Sequence, residues 1–338
     1  MLSRYFRYAD GVVPNTLALA ATLLGYPLGV ALLAQPAWQA RTAGFVLVML
    51  TLTWSAYFIH EFAHQAIFKT AAANKRWATA MSWINGSCYA KFESLRKKHM
   101  RHHVERADVI TFDVQAFLRA APAWFRNTVL ALEWAYFPAV EFIMRGFVIA
   151  LPFRSPQGAK ARLRIVAIFT VRTAAFAALA WVSPLALLLY CAAYLAFVTV
   201  LRFADCFQHT YDAYPIMGDA PIPQDKVRDK AYEQANTYSN IVGLDNRLLN
   251  MVWLNFGFHN AHHDKPAMPW HRLPALHRSL YDADHAQVVP VRLLLRSFHV
   301  NRVRRVLAKD YGAVLPPDQA GRADGFLGAV GVSFLTAV

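Results

Sequence analysis

Histidine clusters are the part of this sequence that could do chemistry. Nine of the thirteen histidines fall into four short stretches, three of which repeat histidine at spacings of three or four residues. On a helix this spacing points two imidazole rings in the same direction, and neutral imidazole is the commonest protein ligand of metal ions. We therefore expect a metal centre. Its predicted ligands are His60, His64, His99, His102, His103, His209, His259, His262 and His263.

The number of predicted ligands indicates two metal ions. One zinc ion takes four ligands, so nine histidines exceed a single zinc site. Coordination by nitrogen alone, with open positions, fits iron that carries out oxygen chemistry, although ligand type also allows zinc and copper. The remaining histidines lack this spacing and are interpreted as surface or structural residues: His271, His277, His285 and His299.

Long uncharged runs predict the helices that position these ligands. Residues 11–40 and 42–59 carry no charged side chain, and the run 165–201 is interrupted only by Arg172. A bilayer core of about 30 Å needs roughly 20 apolar residues per helix, so the first two runs hold one span each and the third holds two. A Ser-Pro turn at 183–184 divides the third run. The predicted spans are approximately 15–35, 43–66, 163–182 and 185–207.

The sequence thus predicts an all-α, multi-pass membrane protein, a single domain over residues 1–338. Two transmembrane hairpins are joined to a helical cytosolic cap, residues 67–122 and 208–311, that carries the metal site. Segment 123–152 has its charges on one side of a helix, which is typical of a helix lying in the membrane interface. Crossing the bilayer is the alternative, and it would move every later cluster to the other side.

Charge predicts the orientation of the spans. Arg4 and Arg7 precede the first span, whereas the connection to the second carries only Arg41. The positive-inside rule then gives cytosolic termini and a cytosolic metal site. The net charge of +14 favours contact with anionic lipid headgroups, with an acidic protein partner as the alternative; no nucleic-acid partner is expected. We expect a basic helix at 291–311 and assign no role to residues 321–338.

The N-terminal uncharged run is expected to be a retained helix. It is too long for the apolar region of a signal peptide, and a second span follows it at once. 

The HEFAH stretch at 60–64 also matches HExxH, in which two histidines bind zinc and the glutamate activates water. An intramembrane zinc protease is therefore the rival enzyme class, but it would leave seven clustered histidines without a role. A membrane metal transporter is the non-enzymatic alternative. Transport would require ligands near the middle of the spans, whereas these histidines gather at the cytosolic ends.

In order and spacing, the clusters resemble the histidine boxes of the membrane-bound fatty acid desaturase family. The family pattern is HxxxH or HxxxxH, then HxxHH, then a late HxxHH, with a further histidine before the last box. The resemblance covers approximately residues 43–290, and its phrases look typical of bacterial members. The matching residues are His60 and His64, HMRHH at 99–103, HNAHH at 259–263, and His209.

This resemblance implies a non-haem di-iron centre with the nine clustered histidines as ligands. It implies O2-dependent oxidation of unactivated C–H bonds of a fatty-acyl chain, which introduces a double bond. Related hydroxylases, acetylenases, carotenoid-modifying enzymes and olefin-forming decarboxylases use the same boxes and remain alternatives. The substrate-binding residues and the carrier of the acyl group stay unassigned.

Carboxylates near the boxes are candidates for orienting the ligands, because metal-bound histidines usually donate their other ring N–H to a carboxylate or carbonyl. Glu61, Glu105, Asp108 and Asp264 lie close enough in sequence. The resemblance adds Asp205, since animal acyl-CoA members of the family have at this position an asparagine that approaches the metal through water. Asp205 is therefore a candidate ligand, an acceptor for a ligand, or a solvated residue.

Electrons for such a reaction must come from another protein. Cys88, Cys191 and Cys206 form no CxxC pair, so the chain has no zinc-ribbon or iron–sulfur motif of its own. A separate ferredoxin, rubredoxin or cytochrome is expected as donor. The predicted location is the cytoplasmic (inner) membrane of a bacterium.

Overall fold

The computed structural model describes residues 2–154, 158–216, 219–285, 287–314, 323 and 325–337. The helices in the first half are α1 (Val12–Leu33), α2 (Trp38–Ala63), α3 (Ala71–Asn85), α4 (Phe92–Glu105), α5 (Val114–Ala120), α6 (Ala123–Trp134) and α7 (Ala139–Ala150). Those in the second half are α8 (Ala159–Val182), α9 (Pro184–Cys206), α10 (Lys230–Ala235), α11 (Arg247–Asn250), α12 (His259–Asp264), α13 (Leu273–Leu280), α14 (Val291–Val300) and α15 (Arg304–Leu307). Two short strands, β1 (Asp108–Ile110) and β2 (Ala213–Pro215), pair in parallel.

Helices α1, α2, α8 and α9 are long and apolar enough to cross a membrane, which confirms the predicted all-α, multi-pass fold class. Their ends differ from the predicted ones by at most five residues. Lack of charge over about 20 residues is a strong signal because the bilayer core offers no water to solvate an ion. The chain divides into two compact units, which are described separately below.

The first unit consists of Met1–Phe92 and Arg145–Val200. Within it, α1 and α2 approach closely at a pair of glycines. A Cβ atom on Gly44 would lie 2.8 Å from the carbonyl oxygen of Gly29, and one on Gly29 would lie 2.9 Å from Val48 Cγ2. Small residues allow such contact between the backbones of membrane helices, which packs the hairpin tightly.

The second hairpin turns at the predicted Ser-Pro dipeptide. Helix α8 ends before Ser183, whose Oγ accepts a hydrogen bond from the backbone N–H of Ala186 at 3.1 Å and so caps α9. Pro184 is the first residue of α9, a position at which its missing N–H costs no helical hydrogen bond. Arg164 on α8 donates to the carbonyl of Tyr89 at 2.8 Å, which ties the segment after α3 to this hairpin.

Segment 123–152, which was expected to form one helix in the membrane interface, forms two helices, α6 and α7. They are separated by residues 135–138, where Tyr136 has a positive φ of 62° next to Pro138. Each helix has twelve residues and a length of about 18 Å, which is too short to cross a bilayer core of about 30 Å. Trp124 and Trp134 are exposed on α6, but whether they contact a membrane stays a prediction.

The second unit consists of Glu93–Met144 and Leu201–Ala337. One of its cores packs α5, α6 and α7 against α15, through Leu118, Val129, Val140 and Val306 among others. Strands β1 and β2 pair with Asp108 opposite Ala213. This pairing holds the segment after α4 next to the segment after α9.

One expectation for the C-terminal part needs correction. The single basic helix expected at 291–311 is wrong, because the chain forms α14 and α15 with a break between them. Arg305 folds back and donates to the carbonyls of Ser297 and Phe298, both at 3.0 Å, which a continuous helix would not allow. The C-terminal tail, residues 321–338, was assigned no role. Where the structure describes it, the tail belongs to this unit, and residues such as Phe326 and Leu335 are buried.

Candidate metal centre

Three short elements of the second unit carry seven of the nine predicted ligands. Helix α4 presents His99, His102 and His103, and α12 presents the last box. His209 follows three residues after the end of α9, where it forms an isolated bridge with Thr237. Spacing of three and four residues places each set on one helix face, as the sequence predicted.

Four of these histidines form a first group, His102, His209, His259 and His263. Their nearest ring nitrogens lie within 4.8 Å of one another. The Nε2 atom of His209 is 3.0 Å from that of His102 and 2.7 Å from that of His259. Nitrogens bound to one metal at about 2.0–2.1 Å are themselves separated by about 3 Å. The group therefore has the geometry of ligands around one ion.

His99, His103 and His262 form a second group. The Nε2 atom of His103 lies 3.1 Å from that of His99 and 3.2 Å from that of His262. The ring of His103 also approaches that of His263, a member of the first group, with 4.3 Å between centroids. The two groups are thus neighbours, and each turns its Nε2 atoms inward.

The remaining two predicted ligands, His60 and His64, belong to the first unit. His60 lies in the last turn of α2 and is fully buried, and His64 is the residue at which the helix ends. Their ring centroids are 4.8 Å apart, as the spacing of four residues predicts. The span α2 therefore continues directly into both residues of the first box.

Two carboxylates orient imidazoles of the first group. Asp108 accepts the Nδ1–H of His102 at 2.9 Å, and Glu233 accepts the Nδ1–H of His263 at 3.0 Å. Thr237 Oγ1 lies 3.3 Å from Nδ1 of His209, and its own hydroxyl donates to the carbonyl of Glu233. Each contact uses Nδ1 and leaves Nε2 as the nitrogen that could bind a metal ion.

The other carboxylates singled out from the sequence have different partners. Glu61 Oε1 is 3.6 Å from Nδ1 of its neighbour His60, which is beyond hydrogen-bond distance. Glu105 is paired with Arg101 on α4, and Asp264 lies 3.7 Å from the ammonium group of Lys230. The fifth, Asp205, lines a cavity beside the first group.

Burial keeps the imidazoles in the form that binds metal. The pKa of His262 is lowered to about 3, first by burial and then by its neighbour His102. Burial also lowers the pKa of His99, His209, His259 and His263, and the surrounding histidines lower each further. Neutral imidazoles, each with one free lone pair, are therefore the stable species at pH 7.

The buried ring nitrogens fit a metal ion better than they fit one another. Among the described residues, His263 Nε2 and His259 Nδ1 are buried without a hydrogen-bond partner. An unsatisfied buried polar atom costs about 1–3 kcal/mol. His102 and His209 both use Nδ1 as a donor, so the lone pairs of their Nε2 atoms face each other at 3.0 Å and repel. A cation among these atoms would remove both penalties, so the donor set suits metal binding.

The four histidines without box spacing lie outside both groups. His277 is buried and packs on Phe258 with 5.4 Å between centroids. His285 stacks on Tyr281, and exposed His299 lies against Tyr136. Their contacts are those of structural and surface residues.

Sequence reasoning missed three contributors to this site. Glu233 lies 26 residues before the last box, on α10, with no local pattern that marks it. Thr237 follows it by four residues. The third is the C-terminal segment, whose Val332 and Phe334 line the cavity together with Asp205. The only sequence feature of that segment that could have indicated its burial is its apolar composition.

Four membrane-length helices and two buried groups of histidines define a class, a membrane protein with an all-histidine candidate metal centre. The family model described as fatty acid desaturase matches residues 36–294, well over half of the chain. The chain belongs to the fatty acid desaturase family. No curated protein matches it significantly. Membership indicates an oxidoreductase of the desaturase or hydroxylase type, with a fatty-acyl substrate in a membrane context.

Proposed function

We propose that this protein is a di-iron fatty acid desaturase. It removes two hydrogens from adjacent saturated carbons of an acyl chain while O2, two electrons and two protons become two molecules of water. The observation that carries the proposal is the inward convergence of Nε2 atoms in two adjacent histidine groups, in a chain of the desaturase family.

Ligand number supports two ions. The first group offers four nitrogens, which is enough to hold one ion. The second group offers three from the second unit, and the fatty acid desaturase family model includes the first box as well. His60 and His64 supply the further ligands of this second ion in our proposal. Nitrogen ligands with open positions suit iron that reacts with oxygen.

The residues of the chain have separable tasks in this reaction. Bound iron supplies the oxidising chemistry with O2. Asp108 and Glu233 fix the tautomer and orientation of His102 and His263, so the ligands need no rearrangement when the ions bind. Val109, Phe256 and other apolar residues line the cavity beside the first group. In our proposal they exclude water from the carbons to be oxidised and contact the part of the acyl chain that reaches the histidines.

Charge and span order support the orientation that the sequence predicted. Arg4 and Arg7 precede α1, and α2 ends at the first box. In our proposal both termini and the metal site face the cytosol, and the membrane is the cytoplasmic membrane of a bacterium. A tag on the C-terminus that is accessible only in inverted vesicles would support this orientation.

A separate redox protein delivers the electrons in this proposal. The three cysteines of the chain are all free, and none lies in a CxxC motif. The chain therefore lacks the four cysteines that hold an iron–sulfur cluster. A ferredoxin, a rubredoxin or a cytochrome each meets the chemical requirement. Reconstitution with each in turn would identify the donor.

The function is tested by expression in a bacterial host, with lipids and free fatty acids analysed by mass spectrometry. The expected product is an acyl chain two mass units lighter than its saturated parent, formed only with O2. The His262→Ala variant, which loses a ligand of the second group, is the matched control. A hydroxylated chain, a triple bond or a terminal alkene would assign one of the related reactions, and products equal to those of the control would contradict the proposal.

A further inference from the structure

The C-terminal segment, from Phe326 to Ala337, packs into the second unit and is held there by specific contacts. Leu327 N–H donates to the carbonyl of Tyr311 at 2.8 Å, and Ala329 N–H donates to that of Cys206 at 2.7 Å. The ring of Phe326 packs on Phe207 with 5.1 Å between centroids. This segment is therefore held by backbone hydrogen bonds and aromatic packing, not merely laid on the surface.

Two glycines show how closely the segment fits. Gly328 and Gly331 have positive φ values of 79° and 76°, which other residues rarely adopt. A Cβ atom on Gly328 would lie 2.6 Å from the carbonyl oxygen of Cys206, and one on Gly331 would lie 3.0 Å from Val114 Cγ1. Glycine therefore stands at the two positions whose backbone conformation and close packing exclude a larger side chain.

Lys98 holds the end of the segment beside the metal ligands. Its ammonium group donates to the carbonyl of Ser333 at 2.7 Å and to that of Thr336 at 2.9 Å. Lys98 directly precedes His99, so the same turn of α4 carries a predicted ligand and this anchor. Charged hydrogen bonds of this kind are stronger than neutral ones.

The anchored segment presents two apolar side chains to the candidate metal centre. Ser333 and Leu335 are buried, whereas Val332 and Phe334 line the cavity. The Phe334 ring lies 5.8 Å from the ring of His99. The cavity has a volume of about 50 Å³, enough for a few water molecules. Whole ligands usually occupy about 300–1,000 Å³, so the cavity walls control which part of a substrate reaches the histidines.

We propose that the segment from Phe326 to Ala337 is the substrate-selecting wall of this cavity. Phe334 is its specificity-determining side chain, and Lys98 is its anchor. The proposal rests on the proposed function for the identity of the substrate, an acyl chain. Because Phe334 stands beside the ligands, its size sets how far the chain can enter and hence which chain length and which carbons are oxidised.

Replacement of Phe334 tests this directly, with Leu335→Ala as the matched control. Both variants shorten an apolar side chain of the same segment, but only Phe334→Ala enlarges the cavity. Cells that express each variant receive shorter and longer saturated fatty acids, and the product ratios are compared. One methylene in an apolar pocket changes kcat/KM by about tenfold or more. Phe334→Ala should therefore raise the ratio of products from longer fatty acids to products from shorter ones by at least tenfold. Phe334→Trp should shift it the opposite way.

Binding gives a second readout that needs no turnover. A conjugated polyene fatty acid, which fluoresces in apolar surroundings, is titrated into the purified wild type and both variants without O2. Phe334→Ala should change its affinity, and Leu335→Ala should leave it unchanged. Product ratios and affinities equal to those of the wild type would overturn the proposal. A wild type that oxidises no acyl chain would instead overturn the proposed function, while the binding comparison would still test the wall.

The anchor is tested by hydrogen exchange with a neighbouring lysine as control. Lys98→Met removes the ammonium group, whereas Lys97→Met removes an exposed one that pairs with Asp219. The amides of residues 326–337 should exchange about tenfold faster in Lys98→Met and at the wild-type rate in Lys97→Met. Equal exchange in both variants would show that Lys98 does not hold the segment.

Discussion

Glu233 accepts the Nδ1–H of His263 at 3.0 Å while the Nε2 atom of the same ring stays buried without a partner among the described residues. The carboxylate is itself held by Arg106 and Lys230, each at 3.1 Å. One side of the imidazole is therefore fully satisfied and the other is not. Such a one-sided arrangement suits a ring whose second nitrogen binds an ion.

Glu233→Gln tests this relationship. The amide keeps an oxygen that can accept the hydrogen bond but removes the negative charge, so metal affinity should fall about 10–100-fold. Competition with a chelator of known affinity measures the change. Glu105→Gln is the control, because both carboxylate oxygens of Glu105 accept hydrogen bonds from Arg101 on α4. An affinity equal to that of the control would contradict the orienting role.

Loss of single ligands should abolish activity without loss of the protein. His64→Ala, His102→Ala and His262→Ala each remove a predicted ligand from a different box, while the apolar spans that drive insertion are unchanged. Membrane-fraction yield and product analysis measure the two properties separately. His299→Ala, an exposed histidine outside both groups, should keep full activity. Normal turnover in all three ligand variants would show that the assignment is wrong.

Metal should stabilise the fold, because it binds the native arrangement of histidines and not the unfolded chain. At a free metal concentration about 100 times Kd, linkage gives about 2.7 kcal/mol of stabilisation. A strong chelator should therefore lower the thermal unfolding temperature of the wild type in detergent. The double variant His102→Ala/His262→Ala should respond to the chelator little or not at all. Equal responses of both proteins would argue against metal at these groups.

The close contact of α1 with α2 predicts that adding one methyl group at Gly44 lowers the stability of the protein. Gly44→Ala places a Cβ atom 2.8 Å from the Gly29 carbonyl oxygen, and overpacking of this kind costs about 1–3 kcal/mol. Gly146→Ala makes the same chemical change on α7, where nothing lies within 4 Å of the new atom. Thermal unfolding in detergent should show a lower midpoint only for Gly44→Ala. A lower midpoint for both would point to detergent effects rather than helix packing.

Local patterns made much of this architecture predictable. Uncharged runs marked the four membrane-length helices, because length and apolarity are properties of the segment itself. Spacing marked the box histidines, since an i, i+4 pair lies on one helix face whatever surrounds it. Asp108, which contacts His102, was also among the predicted carboxylates, since it lies only six residues after that histidine.

What sequence reasoning missed depends on contacts between distant residues. Glu233 reaches His263 from another helix, and nothing near it in sequence indicates a role. The break between α14 and α15 arises where Arg305 finds carbonyl partners seven and eight residues earlier. Phe334 approaches His99 across 235 positions. Tertiary packing of this kind leaves no periodic signal in the chain.

Iron content of the purified protein tests the central claim most directly. The account predicts two iron atoms per chain when the protein is expressed with sufficient iron, and fewer than two in His102→Ala at comparable yield. Mass spectrometry of the digested protein measures iron and zinc together. One tightly bound zinc per chain with no iron, or iron content unchanged by His102→Ala, would contradict the account.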